Sequence, residues 1–266
     1  MPVSIAILTL NEETNLPNCL NSLKWSDDIV ILDSFSADKT KIIAESYNCR
    51  FFQRKFDDYA SQRNYALNEI QYKNEWVLMV DADEVVPDDL KNEIIDVVTN
   101  ADTEIALIRF RRKDYFNGKW IKHSSGYPTW FGRVLKIGAT QIVRPINEEY
   151  TTEGKVIHLQ GHIHHYTFNK GLADWLDKHN RYSTLEAEYL STSRTAINFM
   201  QLFDRDPTIR RRVHKQILYK MPFRPLIIFF YLFVIKGGFL YGKEGLNFCA
   251  LRMFYELMIN LKAKGN

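Results

Sequence analysis

The sequence predicts an α/β fold, a mixed sheet flanked by helices, which is followed by a basic and helical C-terminal region. Two observations predict this fold. The first hundred residues alternate short apolar runs with helical periodicity, and the apolar runs after residue 100 follow one another without that alternation. Repeated strand–helix units form a parallel sheet with helices on both faces. The composition, with 45% hydrophobic and 25% charged residues, is typical of globular proteins and excludes a disordered or fibrous chain.

Four strands and four helices are predicted to alternate over the first hundred residues. The predicted strands are Val3–Leu10, Ile29–Leu32, Arg50–Gln53 and Trp76–Val80. The helical patterns run from Leu16 to Leu23, from Ile42 to Tyr47, from Tyr59 to Ile70 and from Leu90 to Val97. Pro87 stands where the fourth helix would begin, a position that suits its fixed backbone angle.

Residues after 100 predict a second, mixed β region. Its strands are Ile105–Phe110, Phe131–Ile137 and Val156–His162, and the pair Asn117-Gly118 is typical of a tight hairpin turn. A helical pattern follows from Lys170 to about Glu188. We predict one domain over residues 1–204, with halves at 1–100 and 101–204, and a separate region over residues 205–266.

The C-terminal region is basic and contains the most apolar segment of the chain. From Arg205 onward there are 12 Lys and Arg against 3 Asp and Glu, and six cations lie between Thr208 and Arg224. The run Leu226–Ile235 is too short for a membrane span, because ten helical residues rise only about 15 Å. We expect this region to hold the protein on the inner face of the cytoplasmic membrane, with a buried core helix as the alternative. Its interleaved Phe and Leu residues favour lipid over nucleic acid.

Other features indicate a cytoplasmic protein. The N-terminus has no charged leader before its short apolar stretch, so we expect no signal peptide. The three cysteines, Cys19, Cys49 and Cys249, lie far apart and form no CxxC pair. This spacing excludes a disulfide framework and favours a reducing compartment.

Acidic and polar residues follow three of the predicted parallel strands. They include Asp33 after the second strand and Asp81 and Asp83 after the fourth. Ligands of open α/β sheets bind beyond the carboxyl ends of the strands, and two carboxylates spaced by one residue suit a hard cation such as Mg²⁺ or Mn²⁺. The chain has neither GxxxxGK[ST] nor GxGxxG. The sequence therefore predicts a nucleoside diphosphate held through a cation.

With these motifs in order, the sequence resembles glycosyltransferase family 2. The matching segments are residues 9–13 (TLNEE), 33–40 (DSFSADKT), 60–67 (ASQRNYAL) and 81–84 (DADE). Residues 146–149 (INEE) and 164–167 (HHYT) are similar to the subgroup of lipopolysaccharide-core glucosyltransferases. The resemblance implies a Rossmann-like GT-A fold, a nucleoside-diphosphate sugar donor and inversion at the anomeric carbon. It also makes residues 1–100 the nucleotide-sugar half and residues 101–204 the acceptor half.

The resemblance also implies roles for individual residues. Thr9, Asn11 and Glu12 would surround the nucleoside, and Asp33 would contact the base. Asp81 would contact the ribose or the metal, and Asp83 would bind the metal. Arg63 would lie near the phosphates. His165 would be a third metal ligand or would contact the diphosphate, whereas a zinc site at the neighbouring histidines lacks partner cysteines. Glu148 would be the general base that deprotonates the acceptor hydroxyl, and Glu149 competes for that role. The region of Gly118, Trp120, Tyr127, Trp130 and Phe131 would bind the acceptor.

The prediction is therefore a metal-dependent, inverting glycosyltransferase that uses a nucleoside-diphosphate sugar, most simply a UDP-sugar. Its acceptor would be a lipid-linked or lipopolysaccharide glycan at the membrane. Two alternatives remain open at this point. A nucleotidylyltransferase would share the nucleotide pocket, although residues 9–15 lack its glycine-rich loop and lysine. A membrane-bound scaffold would keep the pocket without catalysis, although Asp81 and Asp83 are both present.

Overall fold

The computed structural model describes residues 2–143, 150–192, 198–203, 210, 213, 217–218 and 221–264. The chain forms two compact units, Met1–Gly171 and Leu172–Asn266. The predicted division at residue 204 lies outside the described residues.

The first unit is built on a nine-stranded mixed sheet. Its strands are β1 (Val3–Thr9), β2 (Ile29–Asp33), β3 (Arg50–Gln53), β4 (Trp76–Asp81), β5 (Glu84–Val85), β6 (Ile105–Phe116), β7 (Lys119–Trp120), β8 (Trp130–Lys136) and β11 (Lys155–Tyr166). The order is β3-β2-β1-β4-β8-β6-β11-β5, and β7 pairs with β6. A separate two-stranded sheet pairs β9 (Gln141–Ile142) with β10 (Tyr150–Thr151).

The strand directions confirm the predicted mixed sheet. Strands β3, β2, β1 and β4 are parallel neighbours, whereas β8 runs antiparallel to both β4 and β6. Strands β6 and β11 are parallel, with shifts of register that mark irregular pairing. Because β2, β1 and β4 are adjacent and parallel, their carboxyl ends lie at one edge of the sheet.

Four helices of the first unit accompany the parallel strands. They are α1 (Leu16–Asn21), α2 (Thr40–Ser46), α3 (Tyr59–Asn68) and α4 (Asp88–Thr99). Asp58 caps α3 by accepting a hydrogen bond from the backbone N–H of Ser61, and two aspartates occupy the first turn of α4. Leu90 and Ile94 of α4 join Ile5 and Leu78 of the central strands in one buried core. This core supports the sheet edge at which the polar residues meet.

The turn between β6 and β7 has the predicted hairpin geometry. Asn117 and Gly118 both adopt positive φ angles, of 47° and 77°. This is the backbone conformation that an Asn-Gly pair accommodates in a type I′ turn. The hairpin brings Trp120 opposite Tyr115.

The second unit is helical where the structure describes it. Its elements are α5 (Gly171–Thr192), a 3-10 helix (Phe199–Phe203), α6 (Arg224–Phe230), a π-helical turn (Tyr231–Ile235), a second 3-10 helix (Gly238–Tyr241) and α7 (Gly242–Lys264). Helices α6 and α7 pack together, and Arg224 forms an ion pair with Glu256 at 3.2 Å.

The expected role of Arg224 as a solvent-facing cation is wrong. Its side chain is buried, and it also donates a hydrogen bond to the backbone carbonyl of Glu256. A buried arginine whose charge is paired with a carboxylate on the neighbouring helix is not available to an external anion. Four of the other five cations of this stretch, Arg211, Arg212, Lys215 and Lys220, lie outside the described residues.

The apolar run Leu226–Ile235 does not form one straight helix. Helix α6 ends at Phe230 and continues as the π-helical turn, after which Gly237 adopts a φ of 72° and the chain changes direction. Among the described residues, no single helix is long and apolar enough to cross a membrane. The segments Arg224–Ile235 and Gly238–Ala263 meet that measure only as a pair, bent by 67°.

Candidate active site

The carboxyl ends of β1 and β2 are joined by a buried hydrogen bond. The hydroxyl of Thr9 donates to Oδ1 of Asp33 at 2.8 Å, and both residues are buried. Asp33 also accepts hydrogen bonds from the backbone N–H of Ser36 at 2.8 Å and from Gln53 Nε2 at 3.3 Å. A buried carboxylate that accepts several hydrogen bonds is held in one orientation. Thr9 and Asp33, both predicted for the nucleoside, therefore lie side by side.

The loops that follow β1 and β2 are tied to each other. Asn11 adopts a positive φ of 55°, its N–H donates to the Ser36 hydroxyl at 2.7 Å, and its side-chain oxygen accepts from the N–H of Ala37 at 2.8 Å. The N–H of Glu12 donates to the Thr40 hydroxyl at 2.8 Å. Asparagine is among the few residues that tolerate this backbone conformation. The two loops therefore form one rim of the site.

Glu12 points its carboxylate toward the acidic motif that follows β4. It accepts hydrogen bonds from Asn15 Nδ2 at 2.9 Å and from Lys170 Nζ at 3.0 Å. Burial and the nearby charge of Asp83 raise the pKa of Glu12, although Lys170 opposes this. Lys170 thus places a cation beside the Glu12 carboxylate.

Two buried arginines hold Asp81. Arg63 of α3 contacts Oδ1 at 2.5 Å, and Arg133 of β8 contacts Oδ2 at 2.8 Å. Burial disfavours the charged form of Asp81, but the arginines outweigh it and hold its pKa well below the usual range. In this arrangement both oxygens of Asp81 are occupied. Its predicted contact with ribose or metal stays a prediction.

Glu84 is the fourth member of a buried charge network with Asp81, Arg63 and Arg133. Its Oε1 accepts from Arg133 at 3.0 Å, and its Oε2 accepts from the backbone N–H of Asp81 at 3.0 Å. Glu84 is fully buried, and burial raises its pKa. The carboxylates of Asp81 and Glu84 also raise the pKa of Arg133, against the effect of burial. The network fixes the backbone from which Asp83 projects.

Asp83 and His165 form a second acidic–imidazole group. Nε2 of His165 lies 3.3 Å from Oδ2 of Asp83, and its Nδ1 lies 2.7 Å from Oδ1 of Asp114. Burial and Arg112 would lower the pKa of His165, but the carboxylates of Asp83 and Asp114 raise it to about 9. The N–H of Tyr166 donates to the backbone carbonyl of Asp83 at 2.9 Å, which ties the motif to β11.

A cavity of about 530 Å³ opens beside Asp83. Its lining comes from α1, from the motif after β4, from the β6–β7 turn and from the end of β11. The lining residues include Asn15, Asp83, Gly118, Tyr166 and Asn169. Asn169 donates to the side-chain oxygen of Asn15 at 3.1 Å, so the end of β11 is joined to α1 at this cavity. Four asparagines, a serine and Asp83 are among the lining residues, and the volume is that of a small-molecule site.

The residues around Asp83 fit a divalent cation that takes part of its coordination from a substrate. Within the described ranges, no group of three or more His, Cys, Asp and Glu side chains is arranged to hold a metal. Asp83 and His165 could supply two ligands, because Asp114 binds Nδ1 of His165 and leaves Nε2 directed at Asp83. Mg²⁺ and Mn²⁺ commonly take one or two protein ligands and complete their shell with phosphate and water.

The structure thus brings most of the predicted nucleotide-site residues to one edge of the sheet. Thr9 and Asp33 are the last residues of β1 and β2, and Asn11 and Glu12 lie in the loop after β1. The remaining residues, Arg63, Asp81, Asp83 and His165, lie around the motif at the end of β4. Glu148 and Glu149 lie outside the described residues, so their predicted role as the base stays a prediction.

Three residues of the site were not predicted: Arg133, Asp114 and Lys170. Each lies far along the chain from the residue it contacts: 52 positions for Arg133 and Asp81, 51 for Asp114 and His165, and 158 for Lys170 and Glu12. None belongs to a local motif. One signal for Arg133 was available, because a charged residue within an apolar strand pattern requires a buried partner.

The predicted acceptor aromatics gather on β7, β8 and the loop between them. Trp120 packs edge-on against Tyr127 at 5.4 Å, and Arg112 lies over the Phe131 ring at 4.4 Å. Tyr127 also contacts Nε2 of His162 through its hydroxyl at 2.9 Å. Gly118 lines the cavity, so this aromatic region begins at the cavity edge.

Comparison with known proteins settles the family. The family model described as Glycosyl transferase family 2 matches residues 4–174, well over half of the chain. The protein belongs to glycosyl transferase family 2. This confirms the resemblance that the four matching segments indicated.

Curated relatives carry related names. This family 2 member is 28% identical over 266 residues to the lipopolysaccharide core biosynthesis glycosyltransferase LpsC of Rhizobium meliloti, covering 97% of this chain and 87% of the relative. It is 27% identical over 202 residues to an uncharacterized glycosyltransferase of Rickettsia conorii, covering 71% of this chain and 70% of that one. The chain is accordingly a glycosyltransferase.

A solved structure confirms the fold class. The mannosyltransferase PcManGT from Pyrobaculum calidifontis, determined in complex with GDP-Man and Mn²⁺, superimposes with a TM-score of 0.56 over 99% of this chain and 87% of its own. The two sequences are 14% identical. The predicted GT-A architecture is therefore correct.

Proposed function

We propose that this protein is an inverting glycosyltransferase that transfers a sugar from a UDP-sugar to a hydroxyl of a lipid-linked or lipopolysaccharide glycan, with Mn²⁺ or Mg²⁺. The observation that carries the proposal is the convergence of Asp83 and His165 beside a cavity at the edge where β1, β2 and β4 end. Ligands of open α/β sheets bind at this edge. The name of the Rhizobium relative supports a lipopolysaccharide acceptor.

The donor would lie across the loops after β1 and β2. Asp33 is buried and already accepts hydrogen bonds from Thr9 and Ser36, so a base N–H would bind it in place of one of these donors. Asn11 and Glu12 would line the nucleoside side of the pocket. Arg63 would lie near the phosphates. Its ion pair with Asp81 holds that carboxylate in place and keeps it ionised.

The metal would be held by Asp83 and by Nε2 of His165, and it would neutralise the charge that develops on the departing diphosphate. Asp114 orients the imidazole by its contact with Nδ1. Lys170, which contacts Glu12 at 3.0 Å, adds a further cation near the site. Preorganised charges of this kind act most strongly where water is excluded.

Inversion requires a base opposite the leaving group, and we propose Glu148 for it. Glu148→Gln should keep donor binding and lower the turnover by about a hundredfold, because glutamine has the same shape but cannot accept the proton. The measurement is UDP release and product formation from UDP-sugars with a lipopolysaccharide acceptor, with NMR of the anomeric configuration of the product.

The controls separate the possible outcomes of this experiment. Glu153→Gln alters an exposed glutamate a few residues away and should retain activity. Loss of turnover in Glu149→Gln alone would move the base by one position. Full activity of both the 148 and 149 variants would contradict catalysis by this loop, and a product of retained configuration would contradict inversion.

We further propose that the C-terminal unit attaches the enzyme to the inner face of the cytoplasmic membrane. Support comes from the exposed apolar side chains around the bend between α6 and α7. Phe230 is 59% exposed, Ile235 74% and Leu240 63%. Lys236 lies between Ile235 and Leu240 in the sequence, and Lys243 follows Leu240. Apolar side chains beside cations suit the interface of an anionic bilayer.

The double substitution Ile235→Asp/Leu240→Asp should abolish attachment. Each buried Ile or Leu side chain contributes about 1.5–3 kcal/mol, so losing two lowers partitioning by at least about a hundredfold. The measurement is flotation with liposomes that contain phosphatidylglycerol, at low and high salt.

The matched control is Ile42→Asp/Leu172→Asp, which adds the same charges at positions that are 66% and 51% exposed elsewhere. It should float as the wild-type protein does. Absence of flotation by the wild-type protein, or equal flotation of the two double variants, would contradict the membrane proposal.

A further inference from the structure

One face of the β6–β11 strand pair is basic and aromatic. Arg111 and Lys113 of β6 lie opposite His162 and His164 of β11, and residues paired across parallel strands in this way project from the same face. Trp120, Tyr127 and Trp130 contribute rings from β7, the following loop and β8. We call this surface the basic–aromatic face, defined by Arg111, Lys113, Trp120, Tyr127, Trp130 and His162.

The cations of this face lie over its aromatic rings. The Arg111 guanidinium is 5.0 Å from the centroid of Trp130, and Lys113 Nζ is 4.9 Å from that of Trp120. Lys122 Nζ approaches Trp120 at 5.6 Å. Arg111 Nη2 also donates to the backbone carbonyl and side-chain oxygen of Gln160. These contacts hold the side chains in place and leave their charges unneutralised, since neither a ring quadrupole nor an amide cancels a cation.

The pKa of His162 is lowered by burial and by the positive charges of this face. Burial and the cations Arg111 and Lys113 lower the pKa of His162 to about 4, although Asp89 of α4 opposes this. His162 is therefore neutral at physiological pH and hydrogen-bonds the Tyr127 hydroxyl. Among the groups that act on His162, Asp89 is the acid, so the cations outweigh the negative charge here.

Two donors of this face are left without an acceptor. Among the described residues, neither Nε of Arg111 nor Nε1 of Trp120 has a hydrogen-bond partner, although both atoms are buried. Buried donors without partners cost free energy. An anionic oxygen bound at this face would offset part of that cost through a small side-chain rotation.

The basic–aromatic face is continuous with the active-site cavity. Tyr166 lines the cavity together with Asp83, and Tyr115 stacks on Tyr166 with ring centroids 5.1 Å apart. Tyr115 in turn lies opposite Trp120 across the β6–β7 hairpin. A glycan whose reacting hydroxyl lies near Asp83 would extend along these rings toward Lys113 and Arg111.

We propose that the basic–aromatic face binds an anionic saccharide, so that the acceptor of this enzyme carries carboxylate or phosphate groups beside the sugar that is modified. This inference rests on the proposed transfer to a glycan. Rings stack on the apolar faces of sugars, whereas lysine and arginine recognise carboxylate and phosphate. A neutral glycan would use the rings and leave the cations unpaired.

The experiment measures binding of four probes to the full chain by isothermal titration. They are tetragalacturonate, a phosphorylated pentamannose, uncharged maltotetraose and a single-stranded oligothymidylate. We expect one of the two anionic oligosaccharides to bind about tenfold or more tightly than maltotetraose, and the preferred one identifies the group. Arg111→Gln/Lys113→Gln should weaken that binding by about tenfold or more, since hydrogen bonds to charged groups are strong.

The control is Lys41→Gln/Lys155→Gln, which removes two exposed cations outside the face, including Lys41 over the Phe51 ring. It should bind within about twofold of the wild-type protein. Equal binding of maltotetraose, equal loss in both double variants, or tighter binding of the oligothymidylate would overturn the inference. A thermal shift with UDP and Mn²⁺ is measured in parallel. If that shift is absent while anionic oligosaccharides bind, the proposed transfer fails and the binding face stands.

Discussion

Asp83→Ala is expected to lower sugar transfer by about a hundredfold to a thousandfold while the protein stays folded. Asp83 projects from the loop after β4, with Oδ2 3.3 Å from Nε2 of His165. Without it, the proposed cation loses a ligand, and the charge on the leaving diphosphate is stabilised less. Removing one preorganised electrostatic group typically has an effect of this size.

Two readouts test the substitution. The first is transfer from a UDP-sugar with and without EDTA. The second is the rise in melting temperature that UDP causes in the presence of Mn²⁺, because a ligand that binds the folded state stabilises it. We expect the variant to lose both effects while its melting temperature without ligand stays close to that of the wild-type protein.

Asp88→Ala is the matched control. Asp88 lies five residues further on, in the first turn of α4, and its side chain is 90% exposed. This variant should retain transfer and the UDP-dependent thermal shift. Wild-type activity that persists in EDTA, or near-normal activity of Asp83→Ala, would contradict the metal role. An inactive wild-type protein that still binds UDP would favour the scaffold alternative.

The nucleotide-site residues at the edge of the sheet could be predicted from sequence because each one lies next to the strand pattern that predicts its position. Strands β1, β2 and β4 are mostly apolar and each ends in a polar residue, and the rule for open α/β sheets then places those residues together. The alternation of side chains between the two faces of β11 could also be predicted from the sequence. His162 contacts Tyr127 and His165 contacts Asp114, on opposite faces as a period of two requires.

The buried charge network could not be predicted in the same way. Arg133 lies on β8, and its partners Asp81 and Glu84 are about fifty positions earlier. No local pattern joins them, because β8 inserts between β4 and β6 only after the chain has left the parallel half. A sequence pattern reports which residues share a face of one element, and it does not report which elements become neighbours.

The C-terminal region illustrates a different limit. The run Leu226–Ile235 predicts an apolar segment, but the break at Gly237 and the return through α7 depend on packing. Arg224 had the same appearance in sequence as the other cations, yet it pairs with Glu256 thirty-two positions away. Whether a charge faces solvent or a buried partner is decided by tertiary contacts.

Arg133→Met is expected to destabilise the protein by about 3–5 kcal/mol. The side chain is buried, and it contacts Asp81 at 2.8 Å and Glu84 at 3.0 Å. Methionine fills much of the volume but removes the one cation that contacts both carboxylates, while Arg63 stays on Asp81. Breaking a buried ion pair by removing one partner typically has this cost. The measurement is the free energy of unfolding in urea.

A surface ion pair provides the control for this measurement. Lys91 contacts Asp88 at 2.6 Å on the outside of α4, and Lys91→Met should change the free energy of unfolding by less than about 1 kcal/mol. If Arg133→Met were as stable as Lys91→Met, the network would not stabilise the motif.

A second substitution separates lost charge balance from lost packing. Glu84→Gln in the Arg133→Met background removes one of the two carboxylates that have lost Arg133, while the side chain can still accept the N–H of Asp81. We expect the double variant to regain about 0.5–3 kcal/mol relative to Arg133→Met, the usual range of coupling between contacting residues. A double variant less stable than Arg133→Met would mean that Arg133 acts through its packing. Recovery would mean instead that the arginine from β8 holds the acidic motif in place by balancing its charge.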